Sequence, residues 1–441
     1  METGMNRRIR FRVNSLFIVA ACFLVISSIS CSSKTGNRAG TPGPEGEARN
    51  VILFIGDGMG AGQIKAAGMY RAGAEGTLSF EAFPHRGYIS TRNAEGGVTD
   101  SAAAATAMAT GTRVSNGVLG VAIPGNGMPL ETVLELLGRQ GKRTGLVTTT
   151  FITHATPAAF ASHVASRDDY GSIAAAYLNN SRPNVLFGGG EHIRQADVKE
   201  AGYTVVTDRD GMMRLNTVAE THVFGIFGNG HMPFEYDGLD DLPHLSEMTQ
   251  VALRLLENAP EGFFLMVEGG RIDHACHAND TIRAVLETIE FSDAVAKALD
   301  WASSHPGTLI LVTADHETGG MKVVKNNGAG VIPTVSWSKS GHTAANVPVY
   351  GWGAGAERVS GIMENTDIFQ IMMKSGTRHG SSRRLKDQDR TILDGSRRPE
   401  YALLREKKYG TQDAQAGGTD AEKRLRTILD AGSKGQYVAD N

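Results

Sequence analysis

The chain has 441 residues, of which 41% are hydrophobic and 21% charged, with a formal net charge of -3. That is ordinary globular composition, long enough for a large buried core. It excludes a whole-chain field suited to nucleic acid, and three cysteines exclude a disulfide-stapled scaffold.

The N-terminus reads as a targeting segment. Arg7, Arg8, Arg10 and Arg12 form a positive region, an apolar run follows from Leu16 to Ile29, and Ser28-Ile29-Ser30 precedes Cys31. Residues 1–30 are therefore expected to be a signal peptide. A small residue before a Cys resembles a bacterial lipoprotein signal, with Cys31 as the lipid acceptor, although Ser28 stands where such signals usually carry Leu. The other reading is plain secretion with Cys31 incidental. Either way the expectation is an exported protein of the periplasm or cell envelope, attached to the membrane if Cys31 is lipidated. Cys22 leaves with the signal, so a lipidated Cys31 leaves Cys276 as the sole thiol. Residues 31–49, rich in Gly, Pro, Ser, Thr and Glu, read as a flexible tether.

From Asn50 apolar runs alternate with amphipathic stretches. Strands are expected at Val51–Ile55, Thr144–Thr148, Asn184–Phe187, Gly262–Val267, Thr308–Thr313 and Val347–Tyr350, and helices at Thr132–Gln140, Leu245–Asn258 and Ile282–Ala302. Near-continuous apolar strands alternating with helices predict an α/β fold, a doubly wound, mostly parallel sheet with helices on both faces. This domain is assigned to residues 50–375. Residues 376–441 are rich in Arg, Lys and Asp and read as a charged tail, in which RTILDG (390–395) and RTILDAG (426–432) form a short echo.

Three apolar runs end in metal-type ligands. VILFI ends at Asp57, GFFLMV at Glu268 with Asp273, His274 and His277 behind it, and TLILVTA at Asp315-His316. In an open α/β sheet ligands bind beyond the carboxyl ends of the strands, and clustered carboxylates repel unless cations lie between them. Each piece alone has a plainer reading. Asp57 also fits a helix N-cap, Asp273 and His277 a surface helix pair, and His342 a loop histidine. Asp57 further sits in Gly56-Asp57-Gly58-Met59-Gly60-Ala61, which fits the glycine pattern of a dinucleotide-binding loop, with Glu75 or Glu81 as the ribose partner. Taken together, the Asp and His groups suffice for two zinc-type sites. Ser101 opens an alanine-rich helix, where free N–H groups favour an anion; it is either the nucleophile or, with Thr99 and Asp100, a cap.

Six motifs then carry a specific resemblance: GDGMG (56–60), TDSAAAATA (99–107), HATPAAFASHVASR (154–167), VEGGRIDHACH (267–277), TADHETGG (313–320) and SGHT (340–343). In this order they resemble the alkaline phosphatase family, from about Asn50 to Met373. The resemblance implies a phosphate monoester hydrolase of broad specificity that turns over through a phosphoserine on Ser101. It implies two zinc ions, one held by Asp273, His277 and His342 and the other by Asp57, Asp315 and His316. It implies a magnesium ion at Asp57, Thr156 and Glu268, and Arg167 as a bidentate clamp on phosphate. His154 and His274 stand where some relatives carry Asp and Lys; they are expected beside the magnesium and phosphate rather than as direct ligands, with the third metal held less securely.

The stretch Glu317 to Gly341 is short where the family commonly carries an insertion over the mouth. A short crown and a more open mouth are expected, and a homodimer is the family's usual assembly. His163, His192, His222, His231 and His244 match no ligand position and are expected to be structural or on the surface; Cys276 is expected to be a packed thiol. The alternatives are a phosphodiesterase of the same superfamily, a dinucleotide-binding oxidoreductase, and a surface lipoprotein that binds phosphate compounds without turnover.

Overall fold

The structure, a computed structural model, describes residues 47–377. The expected signal peptide, Cys31, most of the tether and the tail beyond Thr377 lie outside the described residues. Ala48, at the expected end of the tether, is buried, and its N–H donates to the Ser375 carbonyl (2.6 Å).

The strands are β1 (Asn50–Gly56), β2 (His85–Ser90), β3 (Arg143–Phe151), β4 (Val185–Gly189), β5 (Thr204–Val206), β6 (Val223–Ile226), β7 (Phe263–Gly269), β8 (Thr308–Thr313), β9 (Glu317–Thr318), β10 (Lys322–Lys325), β11 (Thr334–Ser336), β12 (His342–Thr343), β13 (Val347–Gly353) and β14 (Gly361–Glu364). The helices are α1 (Ala61–Ala72), α2 (Ser101–Thr110), α3 (Val133–Gly138), α4 (Ala155–Ala161), α5 (Tyr170–Ala176), α6 (Gln195–Glu200), α7 (Arg209–Met213), α8 (Leu245–Leu256), α9 (Arg271–His277), α10 (Thr281–Ser303) and α11 (Asn365–Gly376).

Ten strands form one sheet in the order β14-β2-β13-β8-β1-β7-β3-β4-β6-β5. All pairings are parallel except those of β13, which runs against both β2 and β8. The central strands β1, β7 and β8 are buried along their whole length, which explains their unbroken apolar sequence. Helices cover both faces in two sets: α1, α8 and α9 pack on α10, while α2 packs on α4 and α11, with α3 against both. Every residue of α2 is buried, and its alanines permit that close approach. This is the expected doubly wound fold.

Register brings the ligand-type residues to one edge. Ile55 of β1 pairs with Glu268 of β7 and with Thr313 of β8, so Asp57 and Asp315 lie two residues beyond paired positions. The short segment between His316 and His342 forms two small ladders. β9 pairs antiparallel with β12, opposing His342 and Thr318, and β10 pairs with β11.

Candidate active site

The loop after β1 is shaped by what surrounds it. Gly58 has φ of 71°, and a Cβ there would stand 2.8 Å from Asp273 Oδ1. A Cβ on Gly60 would meet Glu317 Cγ at 2.2 Å. Gly58 N–H donates to Asp315 Oδ1 (3.1 Å). The space a dinucleotide loop would offer to pyrophosphate is filled here by carboxylates, which overturns that reading. Asp57 is also no helix cap, because α1 starts from Gly60, whose N–H is met by Gln63.

Ser101 is not a cap either. Asp100 caps α2, accepting from Ala103 N–H (2.9 Å), and Ser101 is the first helical residue. Its Oγ lies 3.4 Å from Asp57 Oδ2 and 3.4 Å from His316 Nε2, at the end of α2 where the dipole favours an anion. Asp100 also accepts from Gly117 N–H and from Arg167 Nη1 (3.2 Å). Arg167 Nη2 donates to His154 Nε2 (3.1 Å), so both arms of the guanidinium are held.

Two donor sets converge beside Ser101. His277 Nδ1–H donates to the Ser340 carbonyl (2.6 Å) and His342 Nδ1–H to the Thr99 carbonyl (2.9 Å). Both Nε2 lone pairs then face inward, 3.1 Å apart, with Asp273 carboxylate oxygens 3.2 Å and 3.7 Å away. In the second set, Thr318 Oγ1 donates to Asp273 and takes the Nδ1–H of His316 (3.2 Å). That turns the His316 Nε2 lone pair on Asp315 Oδ2 (3.2 Å) and Asp57 Oδ1 (3.5 Å). Lone pairs and carboxylates so placed repel one another unless a cation joins them. Ligands about 2.0–2.2 Å from a tetrahedral ion stand about 3.3–3.6 Å apart, close to these spacings. The His316 and His342 rings stack at 3.6 Å, joining the two sets.

A third set lies behind Asp57. Ligand atoms of Asp57, Glu268 and His154 fall within 4.8 Å of one another. Glu268 Oε2 accepts from Thr148 (2.5 Å), while Glu268 Oε1, Thr156 Oγ1, Asp57 Oδ1 and Asp315 Oδ2 are buried without a hydrogen-bond partner. Unpartnered buried oxygens are rare and costly, and four at one strand edge fit a set of cation ligands.

The electrostatics agree. Burial, with repulsion from Asp315, Asp273 and Glu268, pushes Asp57 well above the carboxylate range. Burial pushes Glu268 up to about 7 despite the Thr148 hydrogen bond, and Asp315 up to about 6. Burial opposes ionisation of Asp273 too, but the neighbouring His277, His316 and His342 imidazoles hold its carboxyl below its ordinary value. Burial and His342 hold His316 well below its ordinary value.

The sequence matches the model of the alkaline phosphatase family over residues 48–195, 186–332 and 325–377. The chain belongs to the alkaline phosphatase family. It is similar to alkaline phosphatase 3 of Bacillus subtilis, at 32% identity over 80% of this chain and 95% of that one. It is likewise similar to streptomycin-6-phosphate phosphatase of Streptomyces griseus, at 34% identity over 80% and 95%. Among solved structures, the alkaline phosphatase of the Antarctic bacterium TAB5 superposes with a TM-score of 0.67 at 31% identity, covering 75% of this chain and 99% of that one. That of a psychrophilic Shewanella gives 0.68 at 30%, covering 75% and 100%. The enzyme is thus an alkaline phosphatase, a metal-binding hydrolase of phosphate esters.

All twelve alkaline phosphatase positions named from sequence are described, and they line one edge of the sheet. His154 lies beside the third set, with a ring nitrogen within 4.8 Å of carboxylate oxygens of Asp57 and Glu268. His231, expected to be structural or on the surface, packs in this region at 4.5 Å from the His274 ring and 5.5 Å from that of His154. Burial, with His274 and Arg271 beside it, holds it down to about 3, and burial with Arg271 holds His274 down to about 4. Thr148, Thr318 and Arg271, which donates to His274 Nδ1 (2.6 Å), also escaped the sequence reading. A hydroxyl or guanidinium that acts through another residue leaves no spacing signal. Cys276 is buried and packs against Gln63, as expected of a core thiol.

Proposed function

We propose that the enzyme hydrolyses phosphate monoesters of broad structure by two successive displacements through a phosphoserine on Ser101. The observation that carries this is the placing of Ser101 Oγ, 3.4 Å from both Asp57 and His316, at the start of α2. Asp273, His277 and His342 would hold one zinc ion, Asp57, Asp315 and His316 a second, and Asp57, Thr156 and Glu268 a magnesium ion. Bound there, zinc ions would supply the Lewis acidity that eases loss of a proton from Ser101 Oγ and from water, and would offset the charge of the phosphate.

Arg167, oriented by Asp100 and His154, donates to two phosphate oxygens and fixes the phosphorus before Ser101 Oγ. Ser101 Oγ attacks in line, the bond from phosphorus to the ester oxygen breaks, and the alcohol leaves. Water then attacks the phosphoserine from the vacated side, the bond to Oγ breaks, and phosphate is released. The helix end that favoured the alkoxide makes Oγ a good leaving group in this second step.

The test is Ser101→Ala. Monoesterase activity should fall by at least about 10³-fold while zinc content stays near that of the native enzyme. Surviving activity refutes the mechanism, and faster hydrolysis of a diester than of a monoester refutes the substrate class. We further propose export and attachment to the membrane by a lipid on Cys31, supported by Arg7 to Cys31. Cys31→Ser should move the enzyme from the membrane to the soluble envelope fraction; an unchanged distribution argues against the anchor.

A further inference from the structure

A continuous run of rings leads outward from Arg167. His154, which accepts from Arg167, sets its ring edge-on to Phe151, 5.2 Å between centroids. Phe151 carries His231 near its face (4.6 Å, 32°) and meets Tyr170 and His192 edge-on at 5.4 Å and 5.2 Å. Tyr170 and His192 stack on each other at 4.0 Å and 7°. The outermost pair is open to solvent: Tyr170 is half-buried, and the His192 side chain is 36% exposed.

Phe151 N–H donates to His231 Nδ1 (3.2 Å), so that imidazole is neutral with its proton on Nε2. At the rim the charges are negative. The Glu191 carboxylate stands 3.4 Å from His192 Nε2, and Asp168 acts on the Tyr170 hydroxyl. His192 also holds φ of 63°, rare for a residue with a Cβ, and that backbone presents its ring to Tyr170. Beyond His154, nothing in the proposed displacement uses these rings. Through His154 they continue outward from the guanidinium proposed to hold the phosphate, which puts them in line for a group carried on a phosphate bound at Arg167.

We propose that the Tyr170–His192 stack, backed by Phe151 and His231, is a platform for the leaving group and favours uncharged aromatic alcohols over alkyl ones. Offset or edge contact with two ordered rings adds to simple burial of the leaving group, and the acidic rim disfavours a leaving group with further negative charge. This rests on the monoesterase reading, and its test therefore includes an arm without turnover. The measured quantities are the ratio of kcat/KM for phenyl phosphate over ethyl phosphate, and the ratio of inhibition or binding constants for phenylphosphonate over methylphosphonate. Tyr170→Leu and His192→Asn, the latter tolerant of positive φ, should each lower the phenyl preference roughly threefold to tenfold in both ratios, with the ethyl and methyl values little changed. Tyr170→Phe keeps the ring and should keep the preference. Ratios unchanged in both ring-removing variants overturn the proposal, as does an equal loss for phenyl and alkyl ligands. An enzyme inactive on both esters overturns the Ser101 reading instead, and the phosphonate ratio still decides the platform.

Discussion

Replacing Gly58 by Ala tests whether the glycines of the first loop serve a carboxylate. The residue sits at φ of 71°, a conformation that costs an L residue about 1–2 kcal/mol. Its new Cβ would stand 2.8 Å from Asp273 Oδ1 and 2.9 Å from Asp273 Cα, where ordinary contact begins at 3.4 Å. Asp273 must therefore retreat by about 0.6 Å, and since its backbone is among the atoms struck, rotating the side chain does not relieve the clash. Asp273 is also tied to Thr318, so the shift reaches His316 as well. A displacement of that size at a ligand should weaken zinc about 10- to 100-fold, by analogy with loss of a group that orients a ligand. Competition with a chelator measures the zinc affinity, and thermal melting of the zinc-free protein isolates the backbone strain. Zinc affinity within threefold of the native enzyme, with only the melting temperature lowered, would falsify the account of Gly58 as clearance for Asp273.

Two further outcomes are expected. Glu268 is raised from 4.5 to about 7 by burial, so the folded protein holds a proton there that the unfolded chain has lost. That contribution is full below pH about 4.5 and disappears as pH rises through about 7, leaving the metal-free protein less stable in alkali by about 3 kcal/mol at most. Glu268→Gln should recover that difference at pH 8 and change little at pH 4.5; denaturant melts of stripped protein that show no pH-dependent gain refute it. Magnesium should be held weakly, because His154 occupies a position that carries Asp in some relatives. In the TAB5 enzyme, a histidine-to-aspartate mutant is solved with magnesium bound. Titration of stripped protein with magnesium should saturate above the low-micromolar range, and saturation already within it refutes the expectation.

Much of this was legible because the chemistry lies at strand ends. Thr308–Thr313 reads as a strand and is β8 without a residue's difference, since both faces are covered and every side chain is apolar or threonine. β3 runs on to Phe151, past its expected end, because Thr148 and Thr150 bury their hydroxyls against each other (2.7 Å) and against Glu268. A threonine-rich stretch gives no apolar signal for such pairing. β2 and β14 were missed for the opposite reason: β14 is the edge strand and β2 the next one in, both partly exposed, where sequence is free to be polar. The four-residue spacing of Asp273 and His277 was readable and holds, 3.2 Å apart on α9. Ser101 was ambiguous between nucleophile and cap, and only the hydrogen bonds that Asp100 accepts from Ala103 and Gly117 remove the cap reading. His231 was unreadable, since it comes from the loop after β6 and nothing local links it to His154 and His274.

Cys276 gives the metal centre a silent witness. It sits on α9 between Asp273 and His277, fully buried and turned toward Gln63, with its thiol pushed far above the ordinary value by burial. A thiolate is a softer ligand than carboxylate or imidazole, yet this thiol faces Gln63 in the core, so a zinc ion held by Asp273, His277 and His342 would keep oxygen and nitrogen partners and the Lewis acidity that goes with them. The same burial shields the sulfur from oxidants for as long as α9 stays in place. Sulfur chemistry at this residue is thereby a record of whether the helix bearing two zinc-type ligands has ever let go of the sheet.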